Sequence, residues 1–230
     1  MKYHPTNMQC LVSKSIFYGQ KIFNCSVMPK LMPSQIDYFY SIQPCRGERV
    51  SGDAAVVEQR EQWVFVAIID ALGHGINANQ VSCRARKYLA QYWSKDVCQT
   101  MQLLDRHLKG SLGAAVGLAA IDLETRQMFY TGVGNTVIRI LRRQGRGSKP
   151  KLYSTEGIVG SYIPHPIEQT IQLDKSDTIL LYTDGVREHF TLKEYPLIFT
   201  DDVMTITRKV IRSYGKKYDD ATCIALKFKT

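Results

Sequence analysis

The stretch WVFVAIIDALGHG, residues 63–75, decides how this chain folds. Residues 64–69 form an unbroken apolar run of Val, Phe, Ala and Ile, the composition of a strand buried on both faces. The run ends in a carboxylate, Asp70. Small residues follow (Ala71, Gly73, Gly75), then a helix-like stretch over residues 77–93. A carboxylate where a buried strand stops lies at the rim of a sheet, on stiff backbone and open to solvent. That placement suits a hard metal ion or a proton-transfer group. It equally suits a plain helix N-cap region in which Asp70 meets orphan backbone amides.

Working outward, residues 35–42 place Ile36, Tyr38, Tyr40 and Ile42 on one face with a period of two, which predicts a half-buried strand. A loop with Arg46 and Arg49 leads to a strand beginning at Asp53, and a polar turn over 58–62 returns the chain into the Trp63 strand. In that hairpin Asp53 starts one strand and Asp70 ends its antiparallel partner, so the two carboxylates share one edge of a sheet. Downstream, Ala78, Val81, Ala85 and Leu89 recur at helical spacing. A second helix is expected over 96–108, followed by strands over 114–121, 127–133, 137–141 and 167–173. The strand TILLY, residues 178–182, also runs into a carboxylate, in Thr183-Asp184-Gly185. A helix over 201–213, capped by Thr200 and closed by Gly215, precedes Asp219-Asp220 and a last strand over 221–228. About ten strands, mostly in antiparallel hairpins, with helices in two places, predict an α+β fold of two packed antiparallel sheets flanked by helices.

The bulk numbers fit one soluble domain: 230 residues, 44% hydrophobic, 22% charged. No apolar run is long enough for a membrane span, and the first residues lack a signal-peptide core, so a cytoplasmic protein without a membrane partner is expected. Six scattered cysteines without a CxxC pair read as reduced thiols. The net charge of +9 concentrates in residues 139–151 and 208–217 without interleaved aromatics, which argues for solvated faces and against nucleic acid as a partner. Residues 1–33 carry no clear period and read as an N-terminal arm, with the main domain at 34–230; a monomer or weak dimer is expected.

Four acidic residues thus share one setting: Asp53, Asp70, Asp184 and Asp219, each at a strand end. Carboxylates gathered without His or Cys make a hard oxygen site suited to Mg²⁺ or Mn²⁺, and their repulsion is costly without a cation. Paired ions of this kind serve chemistry at phosphorus. The ordered set Ser51-Gly52-Asp53, Asp70-Ala71-Leu72-Gly73-His74-Gly75, Gly132-Val133-Gly134-Asn135, Gly157-Ile158-Val159-Gly160, Thr183-Asp184-Gly185 and Asp219-Asp220-Ala221-Thr222 resembles the SpoIIE-like phosphatases of the metal-dependent type-2C (PPM) class. The likeness covers nearly all of residues 35–229, in the small stand-alone layout of stressosome-associated members.

The resemblance implies a four-layer αββα sandwich with two Mn²⁺ or Mg²⁺ ions at one end. By it, Asp70 bridges both ions, the Ala71 carbonyl ligates one, Asp184 and Asp219 complete the other, and Asp53 contributes directly or through water, with Asp53 and Asp70 as the catalytic pair. The implied reaction is attack of a metal-activated water on phosphoserine or phosphothreonine of a phosphorylated regulatory protein, a STAS-type scaffold or anti-anti-sigma factor. The alternative is a catalytically silent binding module of the same fold. Ala71 stands where relatives often have Gly, and Leu72 stands where eukaryotic relatives carry the His proposed as general acid. His74 is either a general acid or a solvent-facing helix-start residue. Arg46 and Arg49 are candidates for holding phosphate. Asp220 reads as a turn residue orienting Asp219, and Glu188 as a supporting or capping group.

Overall fold

The computed structural model describes residues 35–142, 152–187 and 194–229. Among these the chain runs β1 (Ile36–Gln43), β2 (Asp53–Arg60), β3 (Trp63–Ala71), α1 (Gly75–Tyr92), α2 (Val97–Leu108), β4 (Ala114–Asp122), β5 (Gln127–Val133), β6 (Val137–Leu141), β7 (Gln169–Gln172), β8 (Thr178–Tyr182), a 3₁₀ turn (Pro196–Phe199), α3 (Val203–Tyr214) and β9 (Ala221–Phe228). One sheet has the order β1-β9-β8-β6 and the other β2-β3-β4-β5-β7, with every pair antiparallel. The expected arms at 1–33, most of the basic stretch after Arg142, and Glu188 lie outside the described residues.

The apolar run of β3 explains the layering. Its side chains alternate, and both sets are buried. Val64, Val66 and Ile68 face inward with Ile121, Met128 and Tyr130, and meet Ile179, Leu181, Ile224 and Leu226 of the other sheet. Phe65, Ala67 and Ile69 face outward and meet Ala85 and Leu89 of α1 and Met101 and Leu104 of α2. The second sheet repeats the device: Leu180, Tyr182, Cys223 and Ala225 face outward under Ile206 and Val210 of α3. Helices, sheet, sheet and helix therefore stack as the αββα sandwich. Among the described residues no helix is long and apolar enough to cross a membrane.

Two local expectations change. On β1 Ile36 is buried, but Tyr38, Tyr40 and Ile42 are 42%, 39% and 38% exposed. The strand is at a sheet edge, and its opposite face carries the packing: Arg208 lies over Phe39, and the Ser41 hydroxyl donates to Thr207 Oγ1 at 3.0 Å. The cap of α3 is Asp202, which accepts from the Thr205 amide at 2.9 Å, because the 3₁₀ turn ends at Thr200. Gly215 closes α3 as expected, with φ −66°, and leaves no room for a Cβ against the Ile211 carbonyl oxygen.

Ile68→Ala, between the sheets, is expected to cost about 2–5 kcal/mol in urea unfolding, and Asp202→Ala about 1 kcal/mol through the lost cap.

Candidate active site

The β2–β3 hairpin puts Asp53 directly opposite Asp70 in the ladder. The neighbouring strands β8 and β9 are antiparallel too, with Tyr182 opposite Cys223, so the chain leaving β8 and the chain entering β9 meet at one end. Asp184 follows β8 and Asp219 precedes β9. A hydroxyl relay joins the two sheets there. Thr183 Oγ1 donates to Asp53 Oδ2 at 2.8 Å and accepts from the Thr222 amide at 3.0 Å. Asn135, at the β5–β6 turn, donates from Nδ2 to Asp184 Oδ2 at 2.5 Å.

The four carboxylates act on one another. Burial, then the charges of Asp53, Asp184 and Asp219, push the Asp70 carboxyl up to about 9. Burial raises Asp53 to about 7; the bond from the Thr183 hydroxyl pulls it down, while Asp220 and Asp219 push it up. Asp219 is raised by burial and by Asp184, with Lys216 opposing. The second oxygen of Asp53, Oδ1, is buried with no hydrogen-bond partner. An orphaned oxygen amid mutually repelling carboxylates fits a hard divalent cation. Among the described residues no three carboxylate, imidazole or thiol side chains close tightly enough to cage an ion.

The sequence over residues 60–229 matches the family model for Stage II sporulation protein E (SpoIIE). The chain belongs to the SpoIIE family. It is 26% identical over 142 residues to the phosphoserine phosphatase RsbX of Bacillus subtilis (strain 168), covering 61% of this chain and 69% of RsbX. A chain solved in work on the bacterial stressosome as a modular system controlling secondary-messenger signalling superposes with a TM-score of 0.76 at 25% identity, over 84% of this chain and 99% of that one. Crystalline RsbX in complex with magnesium gives 0.74 at 20% identity, over 86% and 98%. The PP2C phosphatase domain of SpoIIE from Bacillus subtilis gives 0.65 at 17% identity, over 84% and 63%.

The SpoIIE-family match begins after Asp53, but the hairpin register carries Asp53 to the site. Ala71 is accommodated in place of the frequent Gly because its φ is negative; its amide donates to the Gly52 carbonyl at 3.2 Å. Asp220 does more than the sequence suggests. Its amide donates to Asp219 Oδ1 at 3.0 Å, which orients that carboxylate as expected. Its own carboxylate, 3% exposed, accepts from the Cys45 and Gly52 amides, both at 2.7 Å. The signal for this lay in the glycines: a Cβ on Gly52 would lie 3.1 Å from Asp220 Oδ2, and one on Gly185 would lie 1.8 Å from the Asp220 carbonyl oxygen. His74 is the N-cap residue of α1 without a side-chain cap bond, and it pairs instead with Glu48 at 2.9 Å, its side chain 62% exposed. Arg46 and Arg49 are exposed on the β1–β2 loop, where the Arg46 amide donates to the Lys217 carbonyl at 2.9 Å.

In metal-free protein, Asp70 holds its proton more tightly folded than unfolded. Its contribution to stability is therefore full below the unfolded carboxylate range, about pH 4, and is lost as pH rises toward about 9. Asp70→Asn removes that loss. In EDTA the variant should gain about 2–8 °C in Tm at pH 8.5 and little at pH 5, by thermal melts.

Proposed function

We propose that this chain is a phosphoprotein phosphatase of the RsbX type, hydrolysing phosphoserine or phosphothreonine on a bacterial regulatory protein of the stressosome or anti-anti-sigma kind, a STAS-type domain. The observation that carries this reading is the convergence of Asp53, Asp70, Asp184 and Asp219 at one end of the two sheets. The relative RsbX is named a phosphoserine phosphatase, and a structural relative was solved in work on the bacterial stressosome, which supports both the reaction and its setting.

In this reading Asp70 and Asp53 are the catalytic pair, and Asp53, Asp70, the Ala71 carbonyl, Asp184 and Asp219 hold two Mn²⁺ or Mg²⁺ ions. When bound, such ions polarise the phosphoryl oxygens and lower the pKa of water to near neutrality. The chain's own groups prepare the site. Thr183 occupies one oxygen of Asp53 and leaves the other free for a ligand role. Asn135 fixes one oxygen of Asp184, and the Asp220 amide fixes one of Asp219. Arg46 and Arg49, at the rim, would attract the phosphorylated partner. The net reaction replaces the phosphorus–serine oxygen bond by a phosphorus–water oxygen bond and releases the serine hydroxyl.

Hydrolysis of p-nitrophenyl phosphate and of a phosphoserine peptide tests this. Turnover should require MnCl₂, vanish in EDTA, and fall by about 10²-fold or more in Asp184→Asn, since even residues supporting a metal ligand are worth about 10–100-fold. Metal-loaded protein that cleaves neither substrate would sink the reading.

A further inference from the structure

The end of the five-stranded sheet that carries Asp53 and Asp70 also carries a strip of exposed apolar side chains that neither the core nor the carboxylate centre uses. Leu72 is 43% exposed, Ile76 68%, Leu112 52% and Tyr162 72%. They come from separate segments, and backbone bonds lay those segments side by side. The Leu72 amide donates to the Gly113 carbonyl at 3.0 Å, which continues the β3–β4 ladder past the Ala71–Ala114 pair. The Ala114 amide donates to the Val159 carbonyl at 3.0 Å, and the Ile158 amide to the Tyr162 carbonyl at 2.7 Å. A Cβ on Gly113 would run into Ile158, so the 157–162 loop lies close against the residue after Leu112. Ile76 stands in the first turn of α1.

The place of the strip decides what can cover it. Leu72 directly follows Ala71, and Asp70 lies opposite Ala115 in the same ladder. On the other flank the Ala71 amide donates to the Gly52 carbonyl, at the end of the β1–β2 loop that bears the exposed Arg46 and Arg49. The Asp70–Ala71 turn therefore has a basic flank and an apolar flank. A phosphoseryl side chain is only a few bonds long. When its phosphorus reaches the carboxylates, the residues beside it on the substrate must rest on these flanks. The strip is open, whereas small-molecule sites enclose most of their ligand. Its border is polar, with the Lys109 ammonium donating to the Ser161 carbonyl beside Tyr162. An open apolar strip with a polar border fits a protein face.

We propose that Leu72, Ile76, Leu112 and Tyr162 dock apolar side chains that flank the phosphoserine of a protein substrate, and so select phosphoserine in an apolar setting. The assignment rests on the phosphatase reading above and adds to it the chemistry of the substrate around the phosphoserine. Covering one large apolar side chain on the strip strengthens binding by about tenfold.

The test uses the full chain loaded with Mn²⁺ and a pair of phosphoserine peptides of equal length and charge. One has Leu and Phe beside the phosphoserine, the other Ser and Gly. The ratio of their kcat/KM values is the readout, with p-nitrophenyl phosphate, which has no flanks, as reference. Wild type should favour the apolar peptide about tenfold. The Leu72→Ser, Leu112→Ser double variant should lose that preference, and Tyr162→Ser should reduce it. Leu197→Ser, 53% exposed on the 3₁₀ turn, should keep it. A wild type without the preference overturns the proposal, as does a double variant that retains it. Equal losses on the peptides and on p-nitrophenyl phosphate also overturn it, in favour of a role in holding the Ala71 turn. A wild-type dimer in light scattering that the double variant abolishes, with both peptides treated alike, overturns it in favour of an interface between copies. If no substrate is cleaved, the phosphatase reading fails, and fluorescence anisotropy of the labelled apolar peptide decides the docking. Binding weakened about tenfold in the double variant sustains it, and equal binding overturns it.

Discussion

Repulsion among Asp53, Asp70, Asp184 and Asp219 is the constraint to which the rest of the structure answers. Burial and the neighbouring carboxylates raise Asp70 and Asp53, so the metal-free centre answers the repulsion partly by keeping protons. Flexible loops would relieve that cost by moving apart. Here the carboxylates sit at or beside the ends of ladders that cannot yield separately. Asp53 and Asp70 belong to β2 and β3, while Asp184 and Asp219 adjoin β8 and β9. The opposing force is the two-sided burial of those strands. All six side chains from Val64 to Ile69 are at most 1% exposed, and each large apolar side chain so buried contributes about 1.5–3 kcal/mol. The sandwich is thus strong where the site is strained.

Burial alone would not set the two sheets against each other finely enough to form a site. That alignment comes from a small polar system at the same end. Thr183, leaving β8, reaches Asp53 at the start of β2, and the Thr222 amide of β9 fixes the Thr183 hydroxyl. Asp220 reaches the Gly52 amide from β9 and gathers the β1–β2 loop through Cys45. Charge-assisted bonds of this sort, sheltered from water, are among the stronger ones available. Gly185 is a glycine because the Asp220 backbone passes too close for a side chain, and at Gly52 a Cβ would crowd the Ala78 methyl and the Asp220 carboxylate.

Much of this was legible in the sequence. The β3 run showed a strand buried on both faces, and the hairpin reading placed Asp53 beside Asp70 before any coordinates. Periodicity found α1 and α2, since their buried faces repeat over several turns. What stayed hidden depends on contacts between distant segments. The exposure of Tyr38, Tyr40 and Ile42 follows from β1 lying at a sheet edge, and strand order is not written in a period of two. The cap of α3 moved because a 3₁₀ turn absorbed Thr200. Asp220 looked like a turn residue because both amides it binds lie more than 160 positions away.

The raised carboxyls at the site bear on how a cation would enter it. Asp70 pushed to about 9 and Asp53 to about 7 mean that the metal-free centre holds protons at neutral pH. A divalent ion held there would have to displace those protons, so its binding would release them and tighten as pH rises. The same groups that make the empty centre unfavourable therefore make occupancy depend steeply on pH. Thr183 and Asn135 set the geometry without neutralising any charge, because both donate from uncharged groups. On the proposed reading the carboxylates would supply the charge that draws an ion, and the neutral donors would decide which oxygens face it.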